Sequence, residues 1–218
     1  MRLHLKTTFS KAIIPFNYQP FLTGTLHKWL GDNPFHDGLS MYSFSWLYGG
    51  ETTKKGLFFP NGASLFISGY QKEFIKELVF GIQKSPEIAF GLKVNEIIIQ
   101  EDPLFGYEQI FHPASPVFIK RRIDENDYHY TYKDERANEL LTETLQNKLR
   151  KAGIPDKDVN VEFNTDYRNR KVKIIYYNKI GNKVSLSAVK ITGTPEQLAF
   201  AWNVGVGNST GIGFGALK

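Results

Sequence analysis

The sequence predicts an α+β fold of two tandem ferredoxin-like (RRM-like) domains, and three observations carry that prediction. Stretches that alternate with period two and stretches with helical spacing follow each other as strand, helix, strand, strand, helix, strand. A similar order recurs beyond Pro113 and Pro116, with no clear repeat of the sequence itself. The 218 residues and 41% apolar content leave room for two cores, at about 100 residues per domain. The expected division is residues 1–112 and 113–218.

In the first half, RLHLKTT sets Leu3 and Leu5 on one face and Arg2, His4 and Lys6 on the other, which reads as a strand. QPFLTGTLHKWLG, residues 19–31, reads as a helix with Leu22, Leu26, Trp29 and Leu30 as its apolar stripe. Its opposite face, through Thr23, Gly24, His27 and Gly31, is small or polar. Gly24 inside a helix costs about 1 kcal/mol relative to Ala, so a close approach is expected there. LSMYSFSWLY (39–48) reads as a strand, and GLFFP with ASLFISG as a broken third one. A second amphipathic helix covers 72–85 and a fourth strand 90–102.

In the second half, PVFIKRRI is read as the opening strand. DERANELLTETLQNKLRKAG (134–153) is a helix with Gly153 as its stop. VNVEF, RKVKIIYYN and KVSLSAVKITG are strands, with a hairpin turn between Asn178 and Asn182. TPEQLAFAWNVG is a short helix with Thr194 as N-cap and Pro195 at the first helical position. The chain closes with GVGNSTGIGFGALK, and IGFGAL is read as a last strand.

That closing stretch holds Gly205, Gly207, Gly211, Gly213 and Gly215. Thr210 stands where a dinucleotide fingerprint needs its third glycine, there is no Gly-Lys-Ser/Thr, and too little chain follows for a helix. NAD and ATP loops are therefore excluded. A sharply turning backbone that lets another backbone come close remains. Val206, Ile212, Phe214 and Leu217 among the glycines argue against a frayed tail.

A net charge of +5 permits a polyanionic partner without requiring one. No cysteine is present, which excludes disulfides, zinc-thiolate sites and thiol catalysis. The N-terminal stretch alternates too much for a signal sequence and no apolar run approaches membrane length, so a soluble cytoplasmic protein with no membrane partner is expected. The five histidines lack metal-ligand spacing. A cluster of His36 with Asp32 and Asp37 is conceivable but not favoured, so neither a metal nor a cofactor is expected. No nucleophile elbow accompanies the serines.

His27 and His36 are the acid–base candidates, because two imidazoles near neutrality suit paired proton transfer. A ferredoxin-like unit would bring the first helix close to the turn NPFHDGLS. RNA supplies its own nucleophile, the 2′-hydroxyl, so this chemistry needs no metal. The alternative is two unrelated surface or packing histidines. Cations cluster at Lys54 and Lys55, at Lys120, Arg121 and Arg122, and at Arg168, Arg170 and Lys171. They read as a groove for a polyanion or as a solvated surface. Tyr42, Tyr48, Tyr128, Tyr130 and Tyr132 could stack on unpaired bases.

Several stretches together resemble one family. NYQPFLTGTLHKWLG, FHDGLSMYSFSWL, SPVFIKRR with YHYTYKDERANELLTETLQNKL, and TGTPEQLAFAWNVGVGNSTGIGFGALK are similar, in order and spacing, to the CRISPR-associated repeat-processing endoribonuclease of the RAMP superfamily. The resemblance covers nearly the whole chain. It implies two ferredoxin-like domains and metal-independent cleavage of precursor transcripts that leaves a 2′,3′-cyclic phosphate and a 5′-hydroxyl. It implies a catalytic histidine at His36, with His27 standing where relatives often carry tyrosine, and Ser40 and Tyr42 in support. Ser40 occupies about the place where some relatives carry a lysine, so phosphate charge would fall to Lys54, Lys55 or loop N–H groups. The glycine loop, with Asn208, Ser209 and Thr210 where relatives often carry Lys or Arg, would contact RNA by hydrogen bonds. The implied partner is CRISPR repeat RNA, with room for other CRISPR-associated proteins of a guide complex and for a homodimer. A non-catalytic RAMP subunit that holds repeat or guide RNA is the alternative, and a ferredoxin-like protein unrelated to RNA is a third reading.

Overall fold

The computed structural model describes residues 1–31 and 38–218. The expected site residue His36, with Asp32 and Asp37, lies outside the described residues.

The first sheet is built as the alternation predicts. β1 (Arg2–Thr7) is followed by α1 (Gln19–Leu30), β2 (Tyr42–Phe44), the small hairpin β3 (Glu51–Thr52) and β4 (Leu57–Phe58), then β5 (Ser64–Gly69), α2 (Lys72–Lys84) and β6 (Val94–Gln100). The strands run antiparallel in the order β2-β5-β1-β6. That order is ferredoxin-like, with the first and third strands central. Leu3 and Leu5 of β1, Leu65 and Ile67 of β5, Leu26 and Trp29 of α1, and Leu78 of α2 form one buried core.

The second sheet starts earlier than the sequence suggested. β7 (Glu108–Phe111), not PVFIKRRI, is its first strand, paired with β13 (Val189–Thr192) and through it with β10 (Asn160–Phe163). The C-terminus closes the far edge: the Lys218 and His112 backbones exchange hydrogen bonds of 2.8 and 2.9 Å, and Ala114 N–H donates to Ala216 O. The resulting order is again ferredoxin-like, although IGFGAL forms a bridge at Leu217 rather than a regular strand. PVFIKRRI lost the first position because it pairs locally. Ile119–Ile123 is β8 of a hairpin with β9 (Asn126–Tyr130), turned by Asp124 and Glu125 at positive φ. KVSLSAVKITG is likewise two strands, β12 (Ile180–Leu186) and β13. β12 pairs with β11 (Lys171–Tyr177) as a separate two-stranded ribbon, turned by Asn178 and Lys179 at positive φ.

α3 (Ala137–Ala152) and α4 (Pro195–Val204) cover the second sheet. α3 stops at Gly153 in the left-handed region. α4 starts in a capping box: the Thr194 hydroxyl accepts from Gln197 N–H, and the Gln197 side chain accepts from Thr194 N–H. Among the described residues no helix is long and apolar enough to cross a membrane.

The two halves are pinned together by polar groups. The Arg2 guanidinium is buried between the Phe66 and Trp202 rings, 3.7 and 3.5 Å from their centroids. It donates to Ser68 Oγ, Trp202 O and Leu217 O. A cation given three acceptors and faced by two π systems can tolerate such burial.

Candidate RNA-processing site

The glycine-rich stretch 205–215 is ordered, folded back between the two halves. Gly205 and Gly215 both have positive φ, and the Val206 N–H donates to Gly215 O at 3.0 Å. A Cβ on Gly215 would collide with the Val206 carbonyl oxygen, and one on Gly205 with Gly215 O. A Cβ on Gly207 would likewise collide with the Phe118 carbonyl oxygen, and one on Gly213 would press on the Phe44 ring. Glycine is required here because backbones touch.

The loop rests on β2. Gly211 lies against Ser40 Oγ and the Tyr42 hydroxyl. Thr210 Oγ1 donates to Tyr42 O at 2.9 Å, Ser43 Oγ donates to Asn203 O at 2.9 Å, and Trp46 Nε1 donates to Gly213 O at 2.8 Å. Ser40, Tyr42 and the loop, predicted separately, are thus brought together. Tyr42 is buried and stacked on Phe74. Burial pushes its hydroxyl up to about 12, so at neutral pH it stays protonated and keeps a proton to donate.

α1 packs against the 3-10 turn Thr210–Ile212. Trp29 faces the neighbouring helix and donates its indole N–H to Ser85 O. His27 is two residues earlier, about 200° around the helix, and is exposed. Gly24, one turn back on the same face, has no described atom within 4 Å of where a Cβ would sit. The expected close approach at Gly24 is therefore not made by any described residue.

The cations divide. Arg121 is committed to structure, donating to Leu140 O, Glu143 and Thr144 and tying β8 to α3. Lys120 pairs with Asp127 at 3.2 Å, and its N–H donates to Asn208 Oδ1. Arg122 is exposed. Lys54 and Lys55 sit in the β3–β4 turn, which packs against Ile13 and Ile14 ahead of α1; no described contact joins them to the loop. Arg168, Arg170 and Lys171 lead into the β11–β12 ribbon and are exposed. Asn208 and Ser209 are the partly exposed polar residues of the loop, while Thr210, Gly205, Gly207, Gly211, Gly213 and Gly215 are buried.

Residue-by-residue sequence reading missed three groups. Lys173, Lys179 and Lys183 join Arg168, Arg170 and Lys171, so that 167–183 holds six cations and no carboxylate. The missing acids were the available signal. One face of the ribbon, with Ile175 and Val184, packs on Phe118, Phe214 and Ile212 of the loop region; the other shows Ile174 (61% exposed) and Tyr176 (58%). Lys151, in the last turn of α3, brings its Nζ to Gly38, where the described chain resumes. Lys148 is fully buried, and nothing in its helical pattern announced it beyond its place on the Leu141–Leu145–Leu149 side.

Residues 99–218 match the family described as CRISPR associated protein Cas6, C-terminal. The chain is 26% identical over 235 residues to CRISPR-associated endoribonuclease Cas6 1 of Methanocaldococcus jannaschii, covering 99% of this chain and 91% of that protein. It is 27% identical over 165 residues to a putative CRISPR-associated endoribonuclease-like protein Cas6 of Pyrococcus furiosus, covering 71% of this chain and 67% of that one. In fold it is similar to a solved structure titled "Characterization of a Cas6-related gene from Pyrococcus furiosus", with a TM-score of 0.86, 24% identity and coverage of 100% and 97%. It is similar also to "An RAMP protein binding different RNA substrates", with a TM-score of 0.87, 22% identity and coverage of 100% and 98%. With more than half of its length matched to the family, this two-domain ferredoxin-like chain belongs to the Cas6 proteins.

Proposed function

We propose that the protein binds CRISPR repeat RNA and cuts precursor transcripts into guide RNAs without a metal ion. The observation that carries this reading is the seating of the glycine loop on β2, with α1 packed on one side of it and the basic ribbon on the other. A single strand laid along the ribbon meets lysines for its phosphates and Tyr176 for a base. The named relatives, endoribonucleases of the CRISPR system, support the same reading.

The step is an in-line displacement. A base, His36 or His27, takes the proton from the 2′-hydroxyl, whose oxygen attacks the adjacent phosphorus. The partner histidine protonates the departing 5′-oxygen. The P–O5′ bond breaks as the P–O2′ bond forms, leaving a 2′,3′-cyclic phosphate and a 5′-hydroxyl. Ser40 and the protonated Tyr42 hydroxyl serve as hydrogen-bond donors to the phosphate region. Asn208, Ser209 and the backbone beside Gly211 contact the phosphodiester chain, and Lys151 adds positive charge near Gly38.

Single-turnover cleavage of the host repeat, with binding measured in parallel, tests the assignment. His36→Ala and His27→Ala are each expected to lose about 10²–10⁴ in rate, with RNA affinity nearly unchanged. A loss below tenfold for either histidine removes it from the mechanism. Tight binding by wild type with no cut at all would instead identify a guide-holding subunit.

A further inference from the structure

Lys148 is a buried lysine with no carboxylate partner among the described residues. It is 2% exposed. Its Nζ donates to Thr210 Oγ1 and to Val204 O, both at 2.9 Å. The Thr210 hydroxyl passes the interaction on to Tyr42 O. One amine on α3 therefore touches the end of α4 and the glycine loop, and through Thr210 it reaches the site strand of the other half.

The position has a physical logic. α4 ends at Val204 with no basic residue in its last turn, so its terminal carbonyls lack a cation of their own. Lys148 brings one from α3 to the C-terminal end of α4, where that helix's dipole favours positive charge. Burial opposes that charge and lowers the amine to about 7. The surrounding elements do not neutralise it. Glu162 of β10 pairs with Lys190, and Arg121 of β8 pairs with Glu143. Lys120 of β8 pairs with Asp127, and Arg122 is exposed. Glu196, the single charged residue of α4, is in its first turn. β2 presents the protonated Tyr42, α1 carries His27 and Lys28 in its last turn, and Arg150 and Lys151 lie on the same helix as Lys148. The loop itself has no charged residue before Lys218.

We infer that Lys148 is a positioning residue that seats the glycine loop through Thr210, and that an RNA phosphate held at Asn208–Gly211 is coupled to protonation of the Lys148 amine. The inference rests on the RNA reading above. An anion beside the loop stabilises the charged amine, so binding takes up a proton. The sign follows from linkage: RNA binds more tightly below neutrality, and affinity falls as pH rises through the amine's titration.

The test is RNA affinity from pH 6 to 9 for wild type and Lys148→Met, each checked for folding by thermal melt. Wild type is expected to weaken about three- to tenfold more than Lys148→Met over that range, because the histidine contribution is common to both. Equal slopes in two folded proteins overturn the inference while leaving the RNA reading intact. Absence of binding by wild type at every pH overturns both. Should Lys148→Met fail to fold, ¹⁵N-lysine wild type gives the same information. One Nζ resonance should titrate near neutrality and move to higher pH on adding repeat RNA; an unmoved midpoint overturns the coupling.

Discussion

The glycine-rich stretch 205–215 and the β11–β12 ribbon are near neighbours with opposite characters. The stretch looks flexible in sequence and is among the most enclosed parts of the chain. The ribbon looks like ordinary alternating strand, yet Ile174, Tyr176 and Ile180 stand in solvent beside six cations in a segment without a carboxylate. The difference teaches how to read each pattern. Glycine marks where two backbones must touch, as at Gly205 and Gly215. Period-two alternation marks a strand but not a core, because a strand pair with a single covered face leaves the other for a partner.

The sharpest way to break this comparison is to add one methyl group to each region. Gly215→Ala places a Cβ on the Val206 carbonyl at positive φ. It is expected to destabilise the protein by on the order of 3 kcal/mol or more, read as a large fall in Tm or loss of soluble protein. Gly181→Ala in the ribbon meets only side chains of Ile174 and Tyr176, and should stay within about 0.5 kcal/mol of wild type. Equal effects would mean that the loop is not the seam between the halves.

Charge removal should invert the ranking. Lys171→Ala with Lys173→Ala is expected to leave Tm unchanged while lowering RNA affinity. The dependence of log affinity on log salt should flatten by about 1.4 for two lost phosphate contacts on a single strand. An unchanged salt slope would remove the ribbon from the interface.

A gradual effect concerns stability and pH. Lys148 is lowered by burial to about 7 from its ordinary value of 10.5. Between those values the unfolded chain binds a proton that the folded chain does not. Its contribution to stability therefore rises with pH across that window, by at most about 1.4 kcal/mol per pH unit. Denaturant titrations at pH 7 and 9 should show this rise in wild type and not in Lys148→Met.

The first sheet was legible because its strands bury one face against its helices, so Leu3 and Leu5 alternate as a half-buried strand must. The α4 start was legible because Thr194, Pro195 and Gln197 carry their own local chemistry. PVFIKRRI misled because a turn at Asp124–Glu125 let it pair with its neighbour before reaching the sheet; local pairing outcompeted the longer-range register. Gly24 misled differently, since no described protein atom fills the space its missing side chain leaves. Ser40 and Tyr42 were named as candidates by resemblance, but their junction with the loop was not legible, because it depends on how two halves meet. Lys148 was illegible for the same reason: its partners lie 56 and 62 residues away in the chain.

The most direct test of the account is the chemistry of the cut ends. End-labelled host repeat RNA, incubated with wild-type protein in EDTA, is predicted to give a single cut. Mass analysis should find a 2′,3′-cyclic phosphate on the upstream fragment and a 5′-hydroxyl on the downstream one. A 3′-hydroxyl with a 5′-phosphate, or cleavage that appears only when a divalent cation is restored, would contradict it.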